Sequence, residues 1–266
     1  MPFANLGALR LHFEIDGQGP PLILLAGMMS DSASWGPIVP ELARQFTVIR
    51  PDNRTTGRTE PLDAPASLAD WADDVVALMD HLGIGRAHLA GHSLGGIIAL
   101  HLAAMAPERV DRLALLAAAP VFLQRNLVLF RHLLALRSKE YPPDLWLREL
   151  FPWLFHPRAF ENSGMIDTMI ALSLSYPHAQ GPAAYAAQIA GYAAAEGALT
   201  LPASLPPTLA VLAQDDLLMP LAAARAALDR MGPVDVVEVA HAGHSVHWDA
   251  PETVVAALLD HFGGRV

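Results

Sequence analysis

The amino-acid pattern predicts an α/β protein: a mostly parallel sheet with helices on both faces and a helical insertion over one edge. Three observations predict it. Apolar runs such as PLILLAG (21–27) alternate with helix-like segments, as strands covered on both faces require. The alternation stops between about 120 and 200, where the chain is rich in Leu, Phe, Trp and Ala and broken by prolines. It resumes after Pro206-Pro207.

The elements follow in order. LRLHFEI (9–15) alternates as a strand, and Asp16-Gly17-Gln18-Gly19-Pro20 is a turn. PLILLAG is the next strand, 36–45 a short helix and FTVIRPD (46–52) a strand. Ser67 is placed to cap a helix over 68–82, with Leu68, Trp71, Val75, Leu78, Met79 and Leu82 on one face. Gly83 and Gly85 end it. RAHLAGH (86–92) is a strand, 94–106 a helix closed by Pro107, and DRLALLAAA (111–119) a strand. Past the insertion come TLAVLAQD (208–215), a helix over 220–231, VDVVEVA (234–240) and a closing helix over 251–262. Residues 1–119 and 201–266 therefore read as the core, and 120–200 as a helical cap.

Bulk properties bound the function. At 266 residues, with 53% hydrophobic and 17% charged, the chain can bury a large core. It has no cysteine, which excludes disulfides and thiolate metal sites. The N-terminus lacks a basic stretch followed by an apolar one, and no apolar run reaches spanning length. The expectation is a cytoplasmic protein with no membrane partner. A net charge of -10 argues against nucleic acid and anionic membranes. Basic residues are nearly all arginine and alanine is abundant, as in a GC-rich bacterial genome.

RAHLAGHSLGG (86–96) sets one serine among Gly91, Gly95 and Gly96. Ser93 falls where a strand hands over to a helix, beyond the carboxyl end of the strand, where ligands bind in open α/β sheets. A turn that tight forces the serine into unfavourable backbone angles, and neighbours two positions away must lack side chains. Gly91 and Gly95 meet that need. The serine also sits at a helix N-terminus, which favours developing negative charge.

A serine hydroxyl needs a base, and the base an orienting acid. In this architecture the acid and then the histidine follow the serine in the chain. TLAVLAQD runs into Asp215 and Asp216, which cannot both face the cleft; Asp216 is the candidate. The last strand leads into HAGHSVHWDAPE, with His241, His244 and His247. His244, after Gly243, is the candidate base; His241 reads as structural and His247 as a cleft-lining residue. Three histidines also raise a metal reading. They share a loop, and a metal would leave Ser93 unexplained, so no metal is expected there. Two amides must face the developing oxyanion. They are assigned to Leu94, after the serine, and Met28, after the Gly27 turn.

These pieces, LILLAGMMSDSASW, VIRPDNRTTGRTEP, AGHSLGG, AQDDLLMP and AGHSVHWDAPE, in this order and spacing, resemble the α/β-hydrolase superfamily from about residue 9 to the C-terminus. The resemblance implies an eight-stranded sheet. Its acid lies four residues before a proline, matching Asp216, and its histidine follows glycine, matching His244. Two departures stand out. Ala26-Gly27 replaces the usual His-Gly, and Arg54-Thr55-Thr56-Gly57-Arg58-Thr59 the usual Arg-Gly-x-Gly-Arg/His-Ser. The DNR-x-x-GRT segment and GPAAYAAQIAGY are similar to the 3-oxoadipate enol-lactonase and esterase branch, which implies cleavage of an ester or lactone without cofactor.

The expected function is hydrolysis of a small acyl substrate with an apolar portion. Alternatives on the same scaffold are C–C bond hydrolysis, haloperoxidase (perhydrolase) or cofactor-free oxygenase chemistry, or non-enzymatic binding. Leu133, Trp146, Phe151, Trp153 and Phe155 suggest an apolar lid. Arg125, Arg131, Arg137, Arg148 and Arg158 offer one residue that could grip a substrate carboxylate. Oligomeric state is not legible.

Overall fold

The computed structural model describes residues 2–137 and 140–263. Eight strands build one sheet: β1 (Phe3–Leu6), β2 (Leu9–Asp16), β3 (Pro21–Leu25), β4 (Thr47–Pro51), β5 (Ala87–His92), β6 (Val110–Leu116), β7 (Thr208–Ala213) and β8 (Asp235–Val239). Their spatial order is β1-β2-β4-β3-β5-β6-β7-β8. β1 and β2 form an antiparallel edge, β2 meets β4 antiparallel, and the pairings from β4 to β8 are parallel. The helices are α1 (Val39–Leu42), α2 (Leu68–His81), α3 (Leu94–Met105), α4 (Gln124–Leu136), α5 (Leu145–Leu154), α6 (Ser163–Ser175), α7 (Pro182–Ala198), α8 (Leu221–Leu228), α9 (Val246–Asp249) and α10 (Pro251–Gly263).

Side-chain alternation explains the continuous apolar runs. In β3, Ile23 and Leu25 enter one core, and Leu22 and Leu24 the other. In β7, Ala210 and Leu212 face one way, and Leu209 and Val211 the other. Both faces are therefore buried, so neither needs polar residues. α2, α3 and α8 cover the first core; α1 and α10 cover the second. α3 is buried along Leu94–Ala103 and carries no polar face, as a helix enclosed on all sides should. α2 starts as the pattern requires. Ser67 Oγ accepts from the Asp70 amide at 3.1 Å, and the Asp70 carboxylate accepts from the Ser67 amide at 2.9 Å.

Several expectations needed correction. The helix read over 36–45 shrinks to the single turn of α1, in a segment punctuated by Gly36, Pro37 and Pro40. β6 stops at Leu116, three residues early, because Ala117 (φ 46°) turns the chain out toward the cap. β1, which pairs with β2 across a turn at Gly7 (φ 65°), and the one-turn α9 were not foreseen.

Between β6 and β7, α4 to α7 form the helical cap. Leu129, Phe130 and Leu133 of α4, Leu150 of α5, and Tyr185 and Ile189 of α7 cluster with Leu218, which follows β7. Leu147 and Phe151 pack against Ile166 and Ile170 of α6 in a second cluster. The cap is thus bound to the core just above the carboxyl ends of the strands.

Candidate active site

Ser93 links β5 to α3 with φ 51° and ψ -119°, a region that costs a non-glycine residue about 1–3 kcal/mol. Backbone packing holds it there. The Ser93 amide donates to the Leu116 carbonyl at 2.9 Å. A Cβ on Gly91 would lie 2.2 Å from the Gly95 carbonyl oxygen, and one on Gly95 2.0 Å from that of Leu25. Gly96, for which the sequence suggested no purpose, lets α3 close on the Ala118 methyl, 2.5 Å from where a Cβ would stand. All three glycines therefore serve close approach.

Asp216 and His244 meet beyond β7 and β8. Nδ1 of His244 lies 2.8 Å from Asp216 Oδ2, and both side chains are buried. Asp216 is itself clamped: its Oδ1 accepts from the Leu218 and Met219 amides at 2.8 and 2.7 Å. The carboxylate accepts on both oxygens, so Nδ1 of His244 is the donor. Asp215, its neighbour, is half exposed and faces His156 at 3.4 Å.

The loop after β3 approaches the serine. A Cβ on Gly27 would lie 3.2 Å from Ser93 Cβ and 2.9 Å from His92 Nδ1, so only glycine lets the loop this close. Asn53 steadies it, donating to the Ala26 carbonyl at 3.0 Å. Met29 has φ 61°, and its amide donates to Gln188 Oε1 at 2.9 Å. The fully buried Gln188 comes from α7 in the cap and also accepts from Gln180 Nε2 at 3.1 Å. Sequence reasoning missed it. The signal was a lone glutamine in the alanine-rich run AAYAAQIAGYAAA. Nearby, Thr55 stands where the family pattern carries glycine, and it has φ 76°. That angle explains the glycine preference at this position.

The histidines separate clearly. His92 Nε2 lies 2.9 Å from the His244 carbonyl, which only accepts, so that nitrogen carries the hydrogen. Burial, then the neighbouring His247 and His244, hold His92 well below the ordinary imidazole value, and the ring is neutral. His247 does not line the cleft. It is buried against Trp35 and His92, with ring centroids 4.9 and 4.6 Å apart, and burial pushes its pKa down to about 3. His241 (φ 55°) lies with Asp215 and His156, the three ligand atoms within 4.8 Å of one another. His156 Nδ1 accepts the Arg158 amide at 3.1 Å, so its Nε2 carries the hydrogen toward Asp215. That arrangement suits a hydrogen bond from a neutral imidazole to the Asp215 carboxylate better than a cation ligand.

Ser93, His244 and Met28 line a cavity of about 380 Å³ beneath the cap, with Trp146, Leu150 and Phe151 among its apolar walls. Of the lid residues singled out from sequence, Trp146 and Phe151 reach the cavity; Leu133, Trp153 and Phe155 pack within the cap. Of the five cap arginines, Arg137 lines it. Arg148 pairs with Asp144 and Asp167, Arg125 donates to the Leu217 carbonyl, and Arg131 and Arg158 are exposed. The cap is joined to the histidine loop by Asp249, whose Oδ2 accepts from the Gly243 and His156 amides at 2.7 and 2.9 Å.

Residues 20–251 match the α/β-hydrolase fold family. The chain belongs to this superfamily. It is 31% identical over 267 residues to a protein of Azorhizobium caulinodans named putative carbamate hydrolase RutD, covering 99% of this chain and 98% of that one. The structure of an enol-lactonase from Burkholderia xenovorans LB400 superposes with a TM-score of 0.84 at 24% identity, covering 99% of this chain and 100% of that one. A thermophilic esterase from Thermogutta terrifontis superposes with a TM-score of 0.81 at 27% identity, covering 98% and 95%. No helix among the described residues is long and apolar enough to cross a membrane.

Proposed function

We propose that this protein is a serine hydrolase acting on a carboxylic ester or lactone of a small acid. The observation that carries the reading is the buried 2.8 Å contact between Asp216 and His244, with His244 on the same cavity as the strained Ser93. With Nδ1 bound to Asp216, the other ring nitrogen of His244, Nε2, is left to serve the serine.

In this reading Ser93 Oγ attacks the substrate carbonyl carbon while His244 Nε2 takes its proton. The carbonyl π pair moves to oxygen, and the amides of Met28 and Leu94 stabilise that charge. Neither amide has an acceptor within the protein among the described residues, which leaves both for the oxyanion. Collapse breaks the bond to the leaving oxygen, which receives the proton from His244. Water then attacks the acyl carbon, losing its proton to His244; collapse breaks the bond to Ser93 Oγ, which takes that proton back from His244 as the acid leaves. Asp216 keeps the imidazole in the required tautomer and stabilises its cation. Protein groups and water suffice for each step.

The cavity volume supports a small or medium acyl group. The cap helices between 120 and 200 form its roof, and the core of 1–119 and 201–266 carries the reacting groups. The test is turnover of a panel of p-nitrophenyl esters and small lactones by wild type and Ser93→Ala. Serine-dependent turnover is expected. Labelling of Ser93 by a fluorophosphonate without turnover would redirect the reading to C–C bond cleavage. Neither turnover nor labelling would point to a binding protein or a cofactor-free oxygenase.

A further inference from the structure

Ser93 and His244 line a second, smaller space. A chamber of about 20 Å³ opens beside them, bounded by Met28 and Leu94 of the core and by Asn126 and Tyr192 of the cap. It shares Met28, Ser93 and His244 with the larger cavity. A water molecule needs about 10–15 Å³ of such space, so the chamber has room for one and not for two.

Its walls are not wholly apolar. Asn126, on α4, is 5% exposed. Its Nδ2 donates to the Leu218 carbonyl at 2.8 Å, and its Oδ1 is buried with no donor among the described residues. A buried amide oxygen costs free energy unless a hydrogen reaches it. Tyr192, on α7, stands beside Asn126, its ring against Phe122 and Phe130 with centroids 5.6 and 5.5 Å apart. Burial pushes the phenol above its ordinary range, with Asn126 acting the other way, so the group is an O–H donor at neutral pH. His244 Nδ1 is engaged by Asp216, which leaves Nε2 as an acceptor in the neutral ring. Two acceptors and one donor therefore surround a space for one water, the usual number of partners for a buried water. Water offers two hydrogens and two lone pairs. These three partners use both hydrogens and one lone pair, and the other lone pair is free beside Ser93.

We propose that this chamber binds the water that hydrolyses the acyl-serine, with Asn126 and Tyr192 as its positioning residues. The inference rests on the hydrolase reading above. The water hydrogen-bonds to Asn126 Oδ1 and accepts from Tyr192 Oη. Its other proton passes to His244 Nε2 while its free lone pair forms the bond to the acyl carbon. The carbonyl π pair moves to oxygen, beside the Met28 and Leu94 amides. Collapse breaks the bond to Ser93 Oγ, which takes the proton back from His244. A separate chamber matters because the organic substrate occupies the larger cavity. After a lactone opens, its new hydroxyl stays tethered there and competes by reclosing the ring. A water held in its own chamber is in place when the acyl-serine forms.

Two measurements test it. The first follows p-nitrophenyl acetate in water–methanol mixtures and compares the methyl acetate formed with the acetate. Both nucleophiles attack the same acyl-serine, so general damage to the site leaves their ratio unchanged. Methanol, with two heavy atoms, is too large for the chamber and attacks from the larger cavity. Tyr192→Phe should raise the ester-to-acid ratio about 10-fold, as loss of one hydrogen bond to the reacting water implies. Asn126→Leu should do the same; if it does not fold, Tyr192→Phe decides alone. An unchanged ratio overturns the proposal and leaves the hydrolase reading standing. So does a change in acyl chain-length preference alone, which would make the chamber an acyl pocket. The second is a high-resolution crystal structure. One ordered water within hydrogen-bond distance of Asn126 Oδ1 and Tyr192 Oη is expected in wild type, and its absence overturns the proposal. If that water is present while Ser93 is neither acylated by the ester nor labelled by a fluorophosphonate, the hydrolase reading falls and the water's role in the reaction falls with it.

Discussion

The Met29 amide and the Gln188 side chain, 159 residues apart in the chain, meet at 2.9 Å. The bond ties the loop after β3, assigned to oxyanion stabilisation, to a helix of the cap. The cap therefore sets the position of the Met28–Met29 backbone as well as roofing the cavity. Replacing Gln188 by Leu leaves a part-buried amide without an acceptor. It is expected to destabilise the fold by about 1–3 kcal/mol. It should also lower kcat for a neutral p-nitrophenyl ester about 10-fold, equivalent to ~1.4 kcal/mol. Gln188→Glu keeps the acceptor and should restore most of that loss. A Leu variant with wild-type kcat would show that the loop holds its shape unaided.

Asp215 and Asp216 are adjacent, but only Asp216 reaches His244. Asp216→Asn should lower kcat by about 10⁴-fold, by favouring the wrong imidazole tautomer. Asp215→Asn should change it less than about threefold, since a half-exposed pair contributes little. Steady-state kinetics on one ester decides between them. Loss confined to the Asp215 variant would reverse the assignment.

Gly95→Ala places a methyl carbon about where Leu25 O already stands, at 2.0 Å, with backbone on both sides. No rotamer relieves that clash. The variant should lose about 4 kcal/mol or more of stability, or fail to accumulate as soluble protein. Urea unfolding beside wild type measures it, and a loss under about 1 kcal/mol would mean that the elbow can widen.

Acid should destabilise this protein before its carboxylates titrate. His88, His92, His101, His247 and His261 all have folded pKa values below the ordinary 6.5, burial being the first cause in each. Below pH 6.5 the unfolded chain binds protons that the folded chain refuses. Stability is therefore complete above that pH and falls as pH drops, toward about 3 for His247. Each fully shifted histidine contributes a slope of up to about 1.4 kcal/mol per pH unit. At lower pH the raised carboxyls of Asp31, Asp74 and Asp249 oppose the trend, so the clean window lies between 6.5 and ~5. Urea midpoints across that window should decline, and less steeply in His247→Asn. An unchanged slope in the variant would show that His247 does not carry its share.

The local features were legible in the sequence because they depend on near neighbours. Alternating burial produces the apolar runs of β3, β5 and β7. Ser67 and Asp70 form their box within three residues. The strain at Ser93 is written in Gly91 and Gly95, two positions to either side. Even the misread segments are local failures, since the prolines around Val39–Leu42 cut short a helix that composition alone suggested.

Pairings between distant segments were decided only by the folded chain. Of three histidines within seven residues, the sequence singled out His244 by the preceding Gly243 but misplaced His247 in the cleft. Strand register and the turn at His241 send His244 to Asp216, His247 under Trp35, and His241 toward Asp215 and His156. Five cap arginines were equivalent in the sequence, and helix packing leaves Arg137 facing the cavity without an acid. Gln188 read as one polar residue in an alanine helix until the cap met the loop after β3. Periodicity reports which face of an element is buried. What a side chain touches across that interface depends on the register and tilt of elements that may lie over a hundred residues apart. For this protein the sequence by itself determined the sheet, the elbow and the order of the candidate groups, while tertiary packing chose their partners.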